Sequence, residues 1–379
     1  MSTTLRTLRL ASSQRTALRA GPSHVLKLAN NVRYNSAAAT GQDPMTGERV
    51  QLPDIEVYGP LSVDPSATVF HYAHCLFEGL KAYRDTDGKV TMFRPDMNMK
   101  RMNTTAERIA MPTFNGEAMV ELLKQLVSLD KSWIPDQPGY SLYLRPTMIG
   151  TQPALGIAPP RQALLFVICS PVGPYYPQGF KPVALYGTTE FTRASPGGIG
   201  AYKLGANYAA GVAAHKAATE KGYVQNLWLH GPEHYITEVG TMNAFVVFKK
   251  SDGSYELVTP PLDGLILPGV TRDSVLGLAR EHQTGKINVP ELSDKLVVSE
   301  RSVTMGEVKA AAENGTLAEV FGAGTAAVIS PVDRIGYLGK DIHIPTGPDG
   351  MGPVSRPLWK YLTGIQTGKI AHPWSVIVD

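Results

Sequence analysis

Apolar positions along the chain alternate between helical spacing and strand-like runs, and that alternation sets out most of the elements. Phe93-Arg94-Pro95 closes a short strand, and Asp96 is placed to cap a helix carrying Met99, Met102, Ala106 and Ile109 on one face. A second helix is predicted over about 116–130, where Met119, Leu122, Leu123, Leu126 and Leu129 recur at helical spacing. Ser141 to Thr147 and Ala163 to Cys169 read as strands, the second as a fully buried one because it is apolar without interruption. Further on, Val183 to Thr189 is a strand, about 207–221 an Ala-rich helix, and Asn226–His230 and Tyr235–Phe248 are strands. Leu267-Pro268-Gly269 leads into a helix near Thr271, and Thr304 with Glu307 forms a capping box for another.

Two stretches break the pattern. Residues 40–66 are rich in Pro, Gly and Asp and read as extended chain. Pro171 to Pro182, with further prolines and the pair Tyr175 and Tyr176, reads as a connection between domains. The expected division is a smaller N-terminal domain over 37–173, a connecting loop over 174–186 and a larger C-terminal domain over 187–379. Interspersed strands and helices make the class α/β or mixed α+β.

Charge changes the picture only when it is divided along the chain. The 379 residues carry a formal net charge of +3. Residues 1–36, however, hold six basic residues and no acidic one, which leaves 30 basic against 33 acidic in the rest. A slightly acidic body argues against a nucleic-acid partner. The first segment, rich in Arg, Ser, Thr, Ala and Leu, has the pattern of a mitochondrial transit peptide, and a matrix location is expected. No run approaches the roughly 18 apolar residues of a membrane span. Two cysteines, Cys75 and Cys169, make neither a disulfide framework nor a four-thiolate zinc site.

Candidate chemistry gathers in four places. Gly197-Gly198-Ile199-Gly200-Ala201-Tyr202-Lys203 puts a lysine at the close of a glycine-rich turn, where confinement would let it lose its proton and attack a carbonyl. Glu238 lies in an otherwise apolar strand and needs a partner, which a protonated pyridine nitrogen or a structural Arg or Lys would serve equally. Leu267 to Arg272 is a turn into a helix whose first N–H groups suit a phosphate, and Phe321-Gly322-Ala323-Gly324-Thr325-Ala326 is a second small-residue turn with a hydroxyl. There is no Walker-type phosphate loop, no HExxH and no GxSxG elbow, and no histidine spacing suits a metal. One lysine, one strand acid and two phosphate-compatible turns suggest pyridoxal phosphate chemistry.

At these residues the chain resembles the branched-chain amino acid aminotransferases, a group of fold-type IV pyridoxal phosphate enzymes. AYKLGANYAAG from Ala201, ITEVGTMN from Ile236 and LPGVTRDSVL from Leu267 carry the likeness, with LFEGLKAYR from Leu76, NMKRM from Asn98 and LYLRP from Leu142. The resemblance implies a two-domain fold with the cofactor between the domains, and an exchange of amino groups between leucine, isoleucine or valine and 2-oxoglutarate. It implies that Lys203 is the Schiff-base lysine, that Glu238 keeps the ring nitrogen protonated and that Tyr208 bonds the phenolic oxygen. Arg101, Val270, Thr271 and Thr325 would hold the phosphate, and Thr241 and Ala326 the substrate α-carboxylate. Tyr72, Phe77, Tyr143 and Arg145 match the side-chain pocket, with Tyr72 acting across the interface of a homodimer.

Where mammalian members carry a redox-sensitive CxxC, this chain has Ala327 and Ser330, which excludes thiol switching there. Two alternatives stand beside the branched-chain reading. One keeps fold and cofactor but changes the reaction, as in a D-amino acid aminotransferase, an aminodeoxychorismate lyase or an amine transaminase. The other is a non-catalytic relative, against which Lys203 and Glu238 both speak.

Overall fold

The computed structural model describes residues 55–85, 87–174 and 181–378 in full, and 24–29 and 54 in their backbone. Tyr175 and Tyr176, and most of the segment 1–36, lie outside the described residues. The first half runs β1 (His24–Ala29), β2 (Asp54–Val57), α1 (Thr68–Tyr72), β3 (Cys75–Phe77), β4 (Leu80–Arg84), β5 (Val90–Phe93), α2 (Pro95–Arg108), α3 (Gly116–Leu129), β6 (Ser141–Gly150) and β7 (Ala163–Val172). The second runs β8 (Val183–Thr188), α4 (Gly205–Glu220), β9 (Gln225–His230), β10 (Tyr235–Val239), β11 (Met242–Lys249), β12 (Tyr255–Thr259), α5 (Val270–Gln283), β13 (Leu296–Glu300), α6 (Met305–Asn314) and β14 (Leu317–Gly324). It ends with β15 (Val328–Tyr337), β16 (Lys340–His343), α7 (Ser355–Gln366) and β17 (Ser375–Ile377).

The strands form two sheets, the mixed α/β architecture expected. The first has the order β17-β5-β4-β6-β7-β1-β2, with β3 beside β6, and packs on α2 and α3 through Met99, Met102, Leu123 and Leu126. Its first strand falls inside the segment read as a leader: His24–Ala29 pairs with both β7 and β2, so removal of residues through 36 would take a strand out of the sheet. The last strand, β17, leaves the second half of the chain and pairs with β5.

The second sheet has the order β10-β9-β8-β15-β14-β11-β12-β13, and a further pairing of β10 with β11 closes six of its strands into a ring. Strand β11 is buried on both faces: Phe245 and Val247 join the core under α5 and α7, while Ala244, Val246 and Phe248 join the core under α6. That double burial explains its unbroken apolar sequence. Phe245 lies opposite Phe321 of β14 with the two rings stacked, centroids 4.9 Å apart.

Several local expectations change. Asp96 is not the cap of α2, because Pro95 takes the first helical position and Arg94 precedes it in a left-handed conformation (φ +48°). Contacts of the Arg94 guanidinium offset that strain: it pairs with Asp273 at 2.7 Å, donates to Ser274 at 2.8 Å and covers the Trp374 ring, joining the first sheet to α5 and the C-terminal segment. Strand β7 alternates rather than being fully buried, with Ala163, Leu165 and Val167 inward, as befits an antiparallel strand with one face on the core. Only half the capping box forms: Thr304 accepts from the Glu307 N–H, but the Glu307 carboxylate turns to Arg301.

Tyr235–Phe248 is two strands, not one. The chain reverses at Gly240, where φ is +56° and a Cβ would meet the Gln225 side chain at 2.6 Å. Gly240→Ala is therefore expected to cost about 1–2 kcal/mol of stability, read as a lowered urea midpoint; an unchanged midpoint would remove the role given to this turn.

Candidate active site

Lys203 sits where the two sheets approach each other. Its backbone is fixed from the first half of the chain: its N–H donates to Thr105 Oγ1 of α2 at 3.2 Å, and its C=O accepts from the Phe77 N–H at 3.2 Å. The side chain is then directed at aromatic surface. Nζ donates to the Tyr208 hydroxyl at 3.0 Å and lies 4.8 Å from the centre of the Phe77 ring. Burial lowers its pKa to about 8, helped by the charges of Arg101 and Arg145 and opposed by Glu78 and Glu238. The neutral amine needed for attack on a carbonyl thus becomes accessible about two units below the ordinary lysine range. Burial, with Glu238 nearby, pushes the Tyr208 hydroxyl up to about 12, so it stays a proton donor.

Glu238, 2% exposed, has a partner that the sequence left open: Arg193 Nε lies 2.9 Å from Oε2. Oε1 accepts from the Leu267 N–H at 2.7 Å. Burial pushes this carboxyl upward while Arg193 and the Leu267 amide oppose it, and each oxygen keeps a lone pair for a further donor. Across the β10–β11 hairpin Glu238 faces Asn243, whose Nδ2 donates to the Leu267 carbonyl at 2.8 Å. The pair therefore holds Leu267 by both of its backbone groups.

From Leu267 the chain passes through Pro268 and Gly269 into α5, whose first residues Val270 and Thr271 are 6% and 5% exposed. No side chain caps this helix, so its leading amides face the site unshared. Arg101 approaches from the other sheet's helix α2, donating to the Pro268 carbonyl at 3.0 Å while a two-point pair at 2.7 and 2.8 Å joins it to Glu78. Glu78 is fully buried; burial alone would raise its pKa, but Arg101 holds it below the usual carboxylate range. Glu78 and Arg193 were not among the expected site residues. The first could have been found by the argument applied to Glu238, since it too is an acid inside an apolar run; the second lies in a loop whose sequence carries no such mark.

The side-chain pocket assembles in part. Phe77 packs edge-on to Tyr208 with centroids 4.8 Å apart, and the Arg145 guanidinium lies over Phe77 at 4.8 Å and donates to the Tyr143 hydroxyl at 3.1 Å. Arg145 Nε is buried without a partner among the described residues. Gly79 makes room for Tyr143, whose hydroxyl a Cβ at that position would overlap. Thr325 Oγ1 contacts the Gly79 carbonyl at 3.5 Å, and the Ala326 carbonyl accepts from Lys81 Nζ at 2.9 Å. Thr241 lines a cavity of about 170 Å3 together with Tyr208, Glu238 and Arg193. Tyr72 is the exception: its hydroxyl donates to the Leu155 carbonyl and its ring neighbours are His71 and His74, none of them in this site. Among the described residues no group of His, Cys, Asp and Glu could hold a metal ion.

Comparison with known proteins shows the family. The family described as amino-transferase class IV matches residues 75–335. The chain is 54% identical over 329 residues to the cytosolic branched-chain-amino-acid aminotransferase of Saccharomyces cerevisiae, covering 86% of this chain and 85% of that one. The mitochondrial enzyme of the same yeast is 53% identical over 329 residues, covering 86% of this chain and 82% of its own. The chain belongs to the class IV aminotransferases. Its fold is that of the Escherichia coli branched-chain amino acid aminotransferase, with a TM-score of 0.70 at 24% identity over 86% of this chain and 97% of that one.

In this aminotransferase the Glu78–Arg101 pair joins the lysine side of the site to the helix start. Glu78→Ala, which leaves Arg101 charged and unpaired in the interior, is expected to lower stability by about 3–5 kcal/mol. The measurement is the denaturant midpoint of the purified protein; a change within error would show that water or another group replaces the carboxylate.

Proposed function

We infer that this aminotransferase transfers the amino group between L-leucine, L-isoleucine or L-valine and 2-oxoglutarate with pyridoxal 5′-phosphate as cofactor. The observation that carries this reading is the convergence of Lys203, Tyr208, Glu238 and the uncapped start of α5 on one buried place, in a chain whose relatives share that activity by name.

The residues present suit the cofactor. The amides of Val270 and Thr271, the Thr325 hydroxyl and the Arg101 guanidinium offer donors to a phosphate, and Glu238 offers a carboxylate to a protonated ring nitrogen. When bound, pyridoxal phosphate supplies a conjugated acceptor for the electron pair left behind as the substrate's Cα proton departs. With the cofactor bound, Lys203 Nζ would take up that proton and give it back, a task for which its lowered pKa suits it. The Tyr208 hydroxyl, which stays protonated, would donate to the phenolic oxygen. Thr241 and Ala326 stand for the α-carboxylate, and Phe77, Tyr143 and Arg145 for the side chain, with the Arg145 guanidinium as the cation for the distal carboxylate of glutamate.

The division at 174–186 into a smaller and a larger domain belongs to this reading, with β17 returning to the first sheet. So does a homodimer. Tyr72 has no place in its own chain's site, and Phe70, Leu155 and Ile157 near it are 61%, 69% and 74% exposed. A partner covering this face would carry Tyr72 to the second site. For location, the reading is the mitochondrial matrix, with a leader that ends before His24 because β1 belongs to the sheet.

Holoenzyme given L-leucine and 2-oxoglutarate should form glutamate, and Lys203→Ala should reduce turnover by about 10³-fold or more. A preference for D-leucine, or retained turnover in the variant, would overturn the assignment. Protein recovered from mitochondria should begin upstream of His24, as read by intact mass; a start at residue 37 would overturn that boundary, and exclusion from mitochondria would overturn the location.

A further inference from the structure

The strand register places one more charged group on the face that carries the side-chain pocket. In the pairing of β4 with β6, Lys81 lies opposite Tyr143, and side chains directly opposite share a face. By the two-residue repeat, Gly79, Lys81 and Tyr83 of one strand and Tyr143 and Arg145 of the other point to the same side. Beyond Tyr143, away from Lys203, this face opens into a second cavity of about 540 Å3, within the size range of small-molecule sites. Tyr83, Val328 and Trp359 supply apolar wall to it, and Thr363 a hydroxyl.

The charges lining this cavity are of one sign. Among the described lining residues the charged ones are Lys81, Lys360 and Lys369, and none is acidic. Lys360 is paired with Glu291 at 2.7 Å. Lys81 Nζ donates to the Ala326 carbonyl at 2.9 Å, a neutral acceptor that engages one of its three protons. Burial lowers its pKa to about 8 and no neighbouring carboxylate opposes that. A half-buried ammonium facing an apolar-walled cavity without a counter-charge is an uncompensated cost that a bound carboxylate would relieve.

We propose that this cavity is a second carboxylate site, adjoining the reaction site through the turn at Ala326, which binds a small acid with an apolar body, of the branched 2-oxo acid class, with Lys81 as its anion partner. Because Lys81 also holds the Ala326 carbonyl, occupancy would bear on the turn at Thr325–Ala326; that consequence and the branched 2-oxo class of the ligand rest on the substrate reading above. Trp359, one of four tryptophans, makes the cavity observable.

The test uses holoenzyme in its pyridoxamine form, the form whose amine a 2-oxo acid can accept, labelled with fluorotryptophan, the Trp359 resonance being the one missing from Trp359→Phe. On titration with the 2-oxo acid of leucine, the Trp359 resonance should shift with a midpoint different from that of the cofactor's absorbance change, which reports the reaction site. In Lys81→Met the first midpoint should rise by at least about tenfold, the loss expected for one charge-assisted hydrogen bond, and by more than the second. The uncharged amide of the same acid should not shift Trp359. An unmoved Trp359 resonance, coincident midpoints that move together, an unaffected Lys81→Met, or an equal response to the amide would each overturn the proposal. Failure of the substrate reading would show instead as a cofactor band indifferent to every branched acid.

Discussion

Leu267 is held by both of its backbone polar groups, its N–H on Glu238 and its C=O on Asn243, and the site hangs on that grip. Glu238 and Asn243 are opposed residues of one hairpin, so their separation is set by strand pairing rather than by side-chain choice. What they hold is the last residue before Pro268-Gly269 and the start of α5. The acid proposed for the ring nitrogen and the helix proposed for the phosphate are thereby at a fixed distance, two ends of one ligand measured out by a β-hairpin. A shift of register would move both at once and would turn Glu238 to the other face.

The second constraint is the cost of putting so many charges indoors. Glu78, Arg101, Glu238 and Arg193 are all nearly inaccessible, and each is compensated within hydrogen-bonding distance. Lys203 has no paired carboxylate; it is left beside the Tyr208 hydroxyl and aromatic rings, with Arg101 and Arg145 adding to the pressure against its charge. The arrangement therefore sorts its ionisable groups by task. Those that hold position are paired within hydrogen-bonding distance, and the lysine proposed to exchange a proton has no carboxylate within that distance among the described residues and a pKa lowered toward its neutral form.

How much of this was legible in the sequence follows from where each residue's identity matters. Lys203 among glycines and Glu238 inside an apolar strand declare themselves because burial of either is costly without a reason. Glu78 is the same case, hidden in the run Leu76-Phe77-Glu78-Gly79-Leu80 by being read only as part of a likeness. Arg193 carries no such mark, since an arginine in a loop is ordinary until the fold brings it to a buried carboxylate. The break at Gly240-Thr241 leaves no mark in the hydrophobic pattern, because apolar residues continue on both sides, and only the backbone shows the reversal. The cap of α2 differs from expectation for a local reason: Pro95 claims the first helical position ahead of Asp96. Tyr72 stands apart: the resemblance puts it in the side-chain pocket, whereas within its own chain its hydroxyl donates to the Leu155 carbonyl, outside the site around Lys203.

The pocket proposed for the substrate side chain must accept leucine in one half-reaction and glutamate in the other, and the position of Arg145 suggests how. Its guanidinium lies over Phe77 at 4.8 Å and is 5.1 Å from the Tyr143 ring, so much of its planar surface is covered by carbon. A guanidinium is weakly hydrated and tolerates apolar neighbours far better than an ammonium would. An isobutyl group can then lie against the same wall without stripping water from a strongly solvated charge. A carboxylate arriving there finds a guanidinium with more than one N–H to offer, since a single one is engaged by the Tyr143 hydroxyl in the described contacts. A lysine at position 145 would offer the charge but not the flat, carbon-covered surface, which is why the two demands are met together by arginine held between aromatic rings.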